Sequence, residues 1–552
     1  MPASRTEWIA IPATALLAAL PVLAALAVFG VIETPDSPGY IAYAAQLRHA
    51  LPTGPALLRE APAPITLFRM GGYPVLLAAL QSLTPHWRLA TVLLQIAALS
   101  ALAAASRRAA LRLGAAPGPA LAAALLPATG FGVVVQLCIL TDALYAALAA
   151  GAALALATPP TRTTPSTPPG RASLRPALAA GLMLALATTL REATPLLALA
   201  YLPLALLPDP AAPHSAVPRR GRRTVPVPLL HALLVVLPAL SVAAAQIAWN
   251  VGRGAGPVLT TSRQTVMVQA VLPLLRRHPD LLAPEPSAPP LPAPGRPASP
   301  PSPATPDAAA DATFDAAARA TIGAGEYGRI DDLHRQLFAA GLDAPAMASA
   351  AGRLYRRAWL RHPGAMLLAT LGNLRHEFLA LPFQPVDTVG ALMVYAGWPR
   401  PAFDRLNVEW SALRHAPSAS TRAAAALWIA ADVLTRLLGS LIALAAILSP
   451  WLPAAWWPAH RRAAAGPAPA PRRPALPPDT LRRLRGLWLV CAGFVALYAP
   501  VHVEPRYLVP IVPLACIIAA CAWSTAYLGP SASKAGPCPD PPKAMGLWKP
   551  IP

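Results

Sequence analysis

Residues 8–32 read WIAIPATALLAALPVLAALAVFGVI, and residues 33–40, which follow directly, read ETPDSPGY. The first stretch carries no ionisable side chain and exceeds the ~20 apolar residues that a helix needs to cross a bilayer. It is also longer than the ~7–15-residue apolar core of a cleaved signal peptide, so it reads as a retained first helix. The second stretch changes character at once. Pro35, Pro38 and Gly39 make a turn, after which Tyr40, Ala44 and Leu47 recur at helical spacing on one face. A membrane span followed by a surface-lying amphipathic helix is the expected start.

The same grammar continues down the chain. Apolar runs at 89–106, 116–136, 140–157, 176–190, 193–207, 226–249, 422–449, 484–501 and 506–528 complete an expected set of ten spans, counting 8–32. The run at 73–83 is too short to cross and is expected to be interfacial or re-entrant. The fold class is therefore all-α, a polytopic helical membrane protein. Four parts are expected: a transmembrane module at 1–249 whose first loop is 33–88, an external segment at 250–421, further spans within 422–528, and a cytoplasmic tail at 529–552. A 55% hydrophobic content with 12% charged residues agrees with this class.

The net charge of +21 is carried almost wholly by arginine, with lysine only at Lys534, Lys543 and Lys549. Alanine, proline and arginine are the residues that a GC-rich genome favours, so the basic balance does not by itself point to nucleic acid. Placement decides the matter. Arg107, Arg108 and Arg112 fall in one short loop between spans, and Arg162, Arg171 and Arg175 in another. Arg219, Arg220, Arg222 and Arg223 fall in a third, and residues 461–485 form a fourth basic stretch. With the N-terminus inside, all four lie on the cytoplasmic side, as the positive-inside rule requires. The turns at 137–141, 191–192 and 502–505 then lie outside. Counting 73–83 as a span would invert this pattern.

The external segment is uneven. Residues 281–312 are mostly proline, alanine and serine, too poor in large apolar groups to pack, and are expected to be disordered. Residues 314–342 read as one or two amphipathic helices around Tyr327, Leu333 and Phe338. Residues 354–381 read as a long interfacial helix interrupted by Pro363. The five cysteines are scattered with no C-x-x-C pair, which leaves no disulfide framework and no zinc motif. His376 with Glu377 and His502 with Glu504 lack the wider ligand set of a metal site, so no metal and no cofactor are expected.

A charged side chain at the centre of a bilayer costs roughly 2.5–3.5 kcal/mol, so charges gathered at helix borders on one face suggest a polar site there. Five segments stand out: Thr34–Leu47 with Asp36; Arg69-Met70-Gly71-Gly72-Tyr73-Pro74; Thr141-Asp142; Arg191-Glu192; and Glu504-Pro505-Arg506-Tyr507 with Pro510. Each has an ordinary reading as well. Asp36 and Asp142 suit helix capping. Arg69 and Tyr73 suit anchoring at the membrane boundary. Glu504 suits a structural pair with Arg506.

In this order the motifs resemble the GT-C class of integral-membrane glycosyltransferases, and among them the family 39 group of protein O-mannosyltransferases and lipid A aminoarabinose transferases. The resemblance rests on Asp36-Ser-Pro-Gly-Tyr40, Arg69-Met-Gly-Gly-Tyr-Pro74, Thr141-Asp142 and Glu504-Pro-Arg-Tyr507, and covers roughly 1–250 and 490–528. It departs where Gly71-Gly72 replaces the proline pair of many members, and where Glu33 stands three residues before Asp36. The resemblance implies transfer of a sugar from a polyprenyl-phosphate carrier to a hydroxyl on a lipid, glycan or protein acceptor. It implies a bacterial inner membrane, with the site facing the periplasm or exterior. Asp36 would then be the general base, and Arg69, Arg191 and Arg506 would hold the donor phosphate. Asp142, Tyr40, Tyr73, Glu504 and Tyr507 would support them. Two other classes stay open: a transporter or flippase of a lipid-linked sugar, and a membrane scaffold without activity.

Overall fold

The computed structural model describes residues 5–50, 64–129, 131–158, 174–207, 227–282, 306–321, 326–374, 418–427, 444–449, 476–501 and 505–527, with the single residues 396 and 430. Among these the backbone is helix and turn, with no β-strand and one isolated parallel bridge between Ile32 and Cys138.

The first helix, α1, spans Arg5–Phe29, and α2 (Ser37–Ala50) follows the Pro-Gly turn. Two short helices come next, α3 (Pro64–Phe68) and α4 (Gly72–Leu83), before the long α5 (Trp87–Arg112). The face of α2 that the spacing of Tyr40, Ala44 and Leu47 marks is the buried one: with Tyr43 they enter a core with Val22 and Phe29 of α1 and Tyr73 and Leu77 of α4. At twelve residues α4 is too short to span, as expected, and it lies against α2 and α5.

Four described helices are long and apolar enough to cross a membrane: Ile9–Phe29, Trp87–Arg112, Val227–Gly252 and Arg506–Ser524. The expectation of ten continuous spans is coarsened by proline. The run at 116–136 ends as α6 (Pro117–Leu125) with a 3-10 turn through Pro127, then restarts as α7 (Phe131–Leu137). Proline lacks the N–H and clashes with the preceding turn, so the helical ladder breaks there. The run at 193–207 passes through a 3-10 turn at Ala198–Tyr201 between Pro195 and Pro203, and the last run does so at Val509–Ile511 around Pro510. Helices α8 (Asp142–Ala157) and α9 (Leu174–Leu190) are regular but shorter. With α10 taken as Thr194–Ala205, α11 as Val227–Gly252, and the run at 422–449 mostly outside the described residues, the count stands at four long spans plus shorter apolar helices.

Small residues let these helices approach closely, the usual packing device where lipid supplies no hydrophobic drive. The largest core joins Tyr145, Ala149 and Ala153 of α8 to Ala180 and Leu184 of α9 and to Tyr201 of α10. A Cβ at Gly181 would overlap the Leu234 carbonyl of α11, so glycine is what permits that crossing. Outward, Leu16, Leu17 and Leu20 of α1, Leu182 and Leu186 of α9, and Leu233, Leu237 and Leu240 of α11 are exposed. Such leucine bands are what a lipid-facing surface presents.

A separate core gathers outside this bundle. It is built by α12 (Arg263–Leu275), α13 (Pro306–Thr321), α14 (Glu326–Ala339) and α15 (Ala344–Arg361), around Val271, Leu272, Phe314, Leu333, Met347 and Leu354. The one or two amphipathic helices expected within 314–342 are α13 and α14, but α13 begins at Pro306, so residues 306–312, expected to be disordered, are helical, packed through Phe314, Ala317 and Ala318. Pro363 interrupts the helix expected over 354–381, ends α15 and opens α16 (Pro363–Asn373). Leu367, Leu368 and Leu371 of α16 are exposed. Residues 283–305 and 375–395 lie outside the described set.

The last two helices, α17 (Pro478–Tyr498) and α18 (Val512–Tyr527), close the bundle. At one end of it arginines reach helix carbonyls. Arg107 donates to the Ala10 carbonyl at the start of α1, Arg112 to the Thr158 carbonyl, and Arg483 to the Leu156 and Ala157 carbonyls at the end of α8. Guanidinium groups at a helix C-terminus complement its partial negative charge. Asp36, Asp142 and Glu192 lie at the other end, whereas Asp479 stays at this one, 3.5 Å from Arg482.

Candidate active site

The cluster begins with a backbone stitch. Ile32 donates its N–H to the Leu137 carbonyl at 3.1 Å, and Ile139 donates to the Ile32 carbonyl at 3.0 Å. Ser37 Oγ adds a bond to the Ile139 carbonyl, which draws the start of α2 against the turn that opens α8. Asp36 and Asp142 thereby stand on adjoining segments. Gln95, fully buried on α5, tightens the same junction by donating from Nε2 to the carbonyls of Gln136 (2.9 Å) and Cys138 (2.8 Å). Its Oε1 accepts from the Tyr73 hydroxyl at 2.9 Å. On the far side, the first turn of α4 abuts the end of α9. A Cβ at Gly72 would lie 2.7 Å from the Thr189 carbonyl oxygen. The glycine at 72 is thus required by close approach.

At the centre one carboxylate meets two guanidinium groups. Asp36 Oδ1 accepts from Arg69 Nη2 at 2.6 Å, and Oδ2 accepts from Arg506 Nη1 at 2.5 Å. The three side chains are 27%, 23% and 19% exposed, so solvent reaches the group without flooding it. Arg69 also donates to the Tyr40 hydroxyl at 3.2 Å and lies over the Tyr40 and Phe68 rings. Tyr40 meets Tyr73 edge-on at 5.2 Å, so Tyr73 orients the aromatic wall behind the arginine. Asp36 therefore does not cap α2. That helix starts at Ser37, and the carboxylate is taken up by arginine.

A second pair lies beside the first. Arg191, in the turn after α9, is ion-paired to the buried Asp142. Asp142 is the first residue of α8 with its carboxylate committed to arginine, so the capping reading fails here too. Arg191 sits over the Tyr507 ring at 4.6 Å and the Tyr145 ring at 5.3 Å, and Tyr507 stacks on Tyr498 at 5.0 Å. Arg506 lies 5.4 Å from the same Tyr507 ring, which therefore links the two ion pairs.

Burial works against a charge on Asp36, but Arg506 and Arg69 outweigh it through field and hydrogen bonds, and the carboxyl is pulled down to about 2. Arg69 is subject to the same contest. Burial opposes its charge, Tyr40, Asp36 and Glu192 favour it, and Arg506 opposes it again. Glu192 is thus within electrostatic reach of the cluster, while its carboxylate accepts from the Ser262 hydroxyl at 2.5 Å. Among the described residues it is the one acid here whose carboxylate is not bonded to arginine.

The structure brings together Asp36, Arg69, Asp142, Arg191, Arg506, Tyr40, Tyr73 and Tyr507. Glu504, His502, His376 and Glu377 lie outside the described residues. Arg506 finds an acid in Asp36, 470 residues away. Sequence reading missed Gln95 and Ser37, which tie the segments together, and it missed Ser262 as the partner of Glu192. A glutamine inside an apolar span was the one available signal, since a buried amide needs partners. Ser262 lies in the turn between α11 and α12, where no local pattern marks it. Compared with protein-family models, curated proteins and solved structures, the chain finds no match.

Proposed function

We propose that this protein is a glycosyltransferase that moves a sugar from a polyprenyl-phosphate carrier to a hydroxyl acceptor at the outer face of a bacterial inner membrane. The observation that carries the reading is the single carboxylate held between Arg69 and Arg506 at one end of the helix bundle. Ten spans, with the arginine-rich end inside and this cluster outside, complete the proposal.

The chemistry follows from charge. The donor is a phosphodiester with one negative charge. When the acceptor oxygen bonds to the anomeric carbon, the bond from that carbon to the phosphate oxygen breaks, and the carrier leaves as a monoester with a second charge developing. Two guanidinium groups aimed at that phosphate stabilise charge that appears only as the bond breaks. The hydroxyl proton goes to a carboxylate within hydrogen-bond reach. Asp36 suits this task once the phosphate has claimed its arginines, because a carboxylate released from two cations in a half-buried position is a stronger base. Arg191, held by Asp142 and the tyrosines, adds a third positive group for the diphosphate-free donor's single phosphate or for the sugar.

The proline-broken helices at this end also suit a carrier of lipid-linked sugar, whose sites form where helices are interrupted. One experiment separates the readings. Vesicles holding the protein are given a polyprenyl-phosphate donor with a radiolabelled sugar. Transferase activity appears as label on a new acceptor, with Asp36→Asn and Arg506→Gln inactive at normal expression. Label that crosses the membrane on its original carrier would overturn the transferase reading.

A further inference from the structure

The outer helical body carries a second cluster, unrelated to the arginine site. Two stretches share a tripeptide: Arg277-His278-Pro279 ends α12, and Arg361-His362-Pro363 ends α15. The local backbone repeats as well. His278 has φ −132° and ψ 68°, and His362 has φ −130° and ψ 57°. A residue before proline is barred from the helical region, so both corners are stiff and each places an imidazole just beyond its helix. Helices α12 and α15 share one core through Val271, Leu275, Leu354 and Ala358, which sets the two corners side by side. The ring centroids are 4.0 Å apart.

Asp280, one residue past the first corner, brings Oδ2 to 2.7 Å from His362 Nε2. One ligand atom from each of His278, Asp280 and His362 lies within 4.8 Å of the other two. Arg361 donates to the Asp280 carbonyl at 2.7 Å and Arg357 to the Leu281 carbonyl at 2.6 Å, so the turn that carries the carboxylate is pinned by its backbone. Groups behind the ligands that fix them in this way sharpen a metal site.

We propose that His278, Asp280 and His362 bind one divalent ion of the zinc type, with the remaining position open to water. Two imidazoles and a carboxylate match the donors that such ions favour, whereas calcium and magnesium want a shell of oxygen. Ligand atoms on one tetrahedral zinc stand about 3.3 Å apart given bonds of ~2.0–2.1 Å, so Asp280 and His362 open by roughly half an ångström. The imidazoles, now tilted by 31° to each other, turn to converge, a side-chain rotation that these partly exposed rings allow. Because His362 joins α15 to α16, the ion would also fix the angle of α16, whose Asn373 reaches the Ala499 carbonyl beside the arginine site.

The test uses the full-length protein in detergent, stripped with a chelator and then dialysed against zinc. Metal per chain is read by mass spectrometry, affinity by competition with a chromogenic chelator, and geometry by the visible absorption of bound cobalt. Wild type is expected to hold one ion per chain, with tetrahedral cobalt bands and a higher melting temperature in zinc. His278→Gln and His362→Gln are each expected to weaken binding at least roughly tenfold, while His86→Gln leaves it unchanged. Zinc retained at wild-type affinity by the double His278→Gln, His362→Gln variant would overturn the proposal, as would no binding by wild type. The readouts need no transfer activity, so they stand apart from the function proposed above.

Discussion

If the donor phosphate must take Arg69 and Arg506 from Asp36, then removing the carboxylate should tighten donor binding while it stops transfer. The size of the effect follows from the ion pair. The fall of the Asp36 carboxyl from 3.8 to about 2 is net of a burial effect in the opposite direction, and it corresponds to roughly 2 kcal/mol in favour of the paired carboxylate. An incoming phosphate has to overcome that preference, whereas in Asp36→Asn it does not. The variant should therefore bind polyprenyl phosphate roughly thirty-fold more tightly, the factor that 2 kcal/mol represents. It should also be less stable when empty, because two partly buried guanidinium groups then face each other without an acid. Thermal melting in detergent with increasing polyprenyl phosphate reads both effects. The empty variant should melt lower than wild type, show the larger upward shift with ligand, and saturate at lower concentration. Unchanged or weaker binding in Asp36→Asn, with the fold intact, would refute the handover of arginine from carboxylate to phosphate.

Three further outcomes follow from the same geometry. The folded value of Asp36 lies below its ordinary one, so the pair contributes stability above about pH 4 that is lost as the pH falls toward 2; after handover the carboxyl rises, so kcat should lose activity at higher pH than kcat/KM does, as initial rates across an acid titration would show. Asp142→Asn should destabilise the protein by about 3–5 kcal/mol by leaving Arg191 buried without its acid, and adding Arg191→Gln should recover part of the loss in a melting experiment. Glu192→Gln should leave transfer within a few-fold of wild type if Asp36 is the base; a collapse of kcat with normal donor binding would move that role to Glu192.

Much of the candidate site was legible because charged residues beside apolar runs are conspicuous in one dimension. Asp36, Arg69, Asp142, Arg191 and Arg506 all draw attention in that way, and all five meet. Their pairing was not legible. Capping was the natural local reading for Asp36 and Asp142, since it needs only neighbours in the chain, and both carboxylates instead go to arginines from other segments. The breaks inside the expected spans were half visible. Pro127, Pro195 and Pro510 stand in plain sight, but proline also occurs within α1 and α11 without ending them. Whether a proline breaks a membrane helix depends on what its neighbours can offer the freed carbonyls.

By itself the sequence determined that this chain is helical and that some of its helices are long and apolar enough to cross a membrane, because apolar run length is written directly along the chain. It also determined which face of α2 is buried, since helical period projects a linear pattern onto a surface. Only the tertiary structure decided that Asp36 lies between Arg69 and Arg506, that Gln95 stitches the turn before α8, and that two R-H-P corners face each other. These contacts join segments tens to hundreds of residues apart, and they follow from the way whole helices pack, which no local periodicity records.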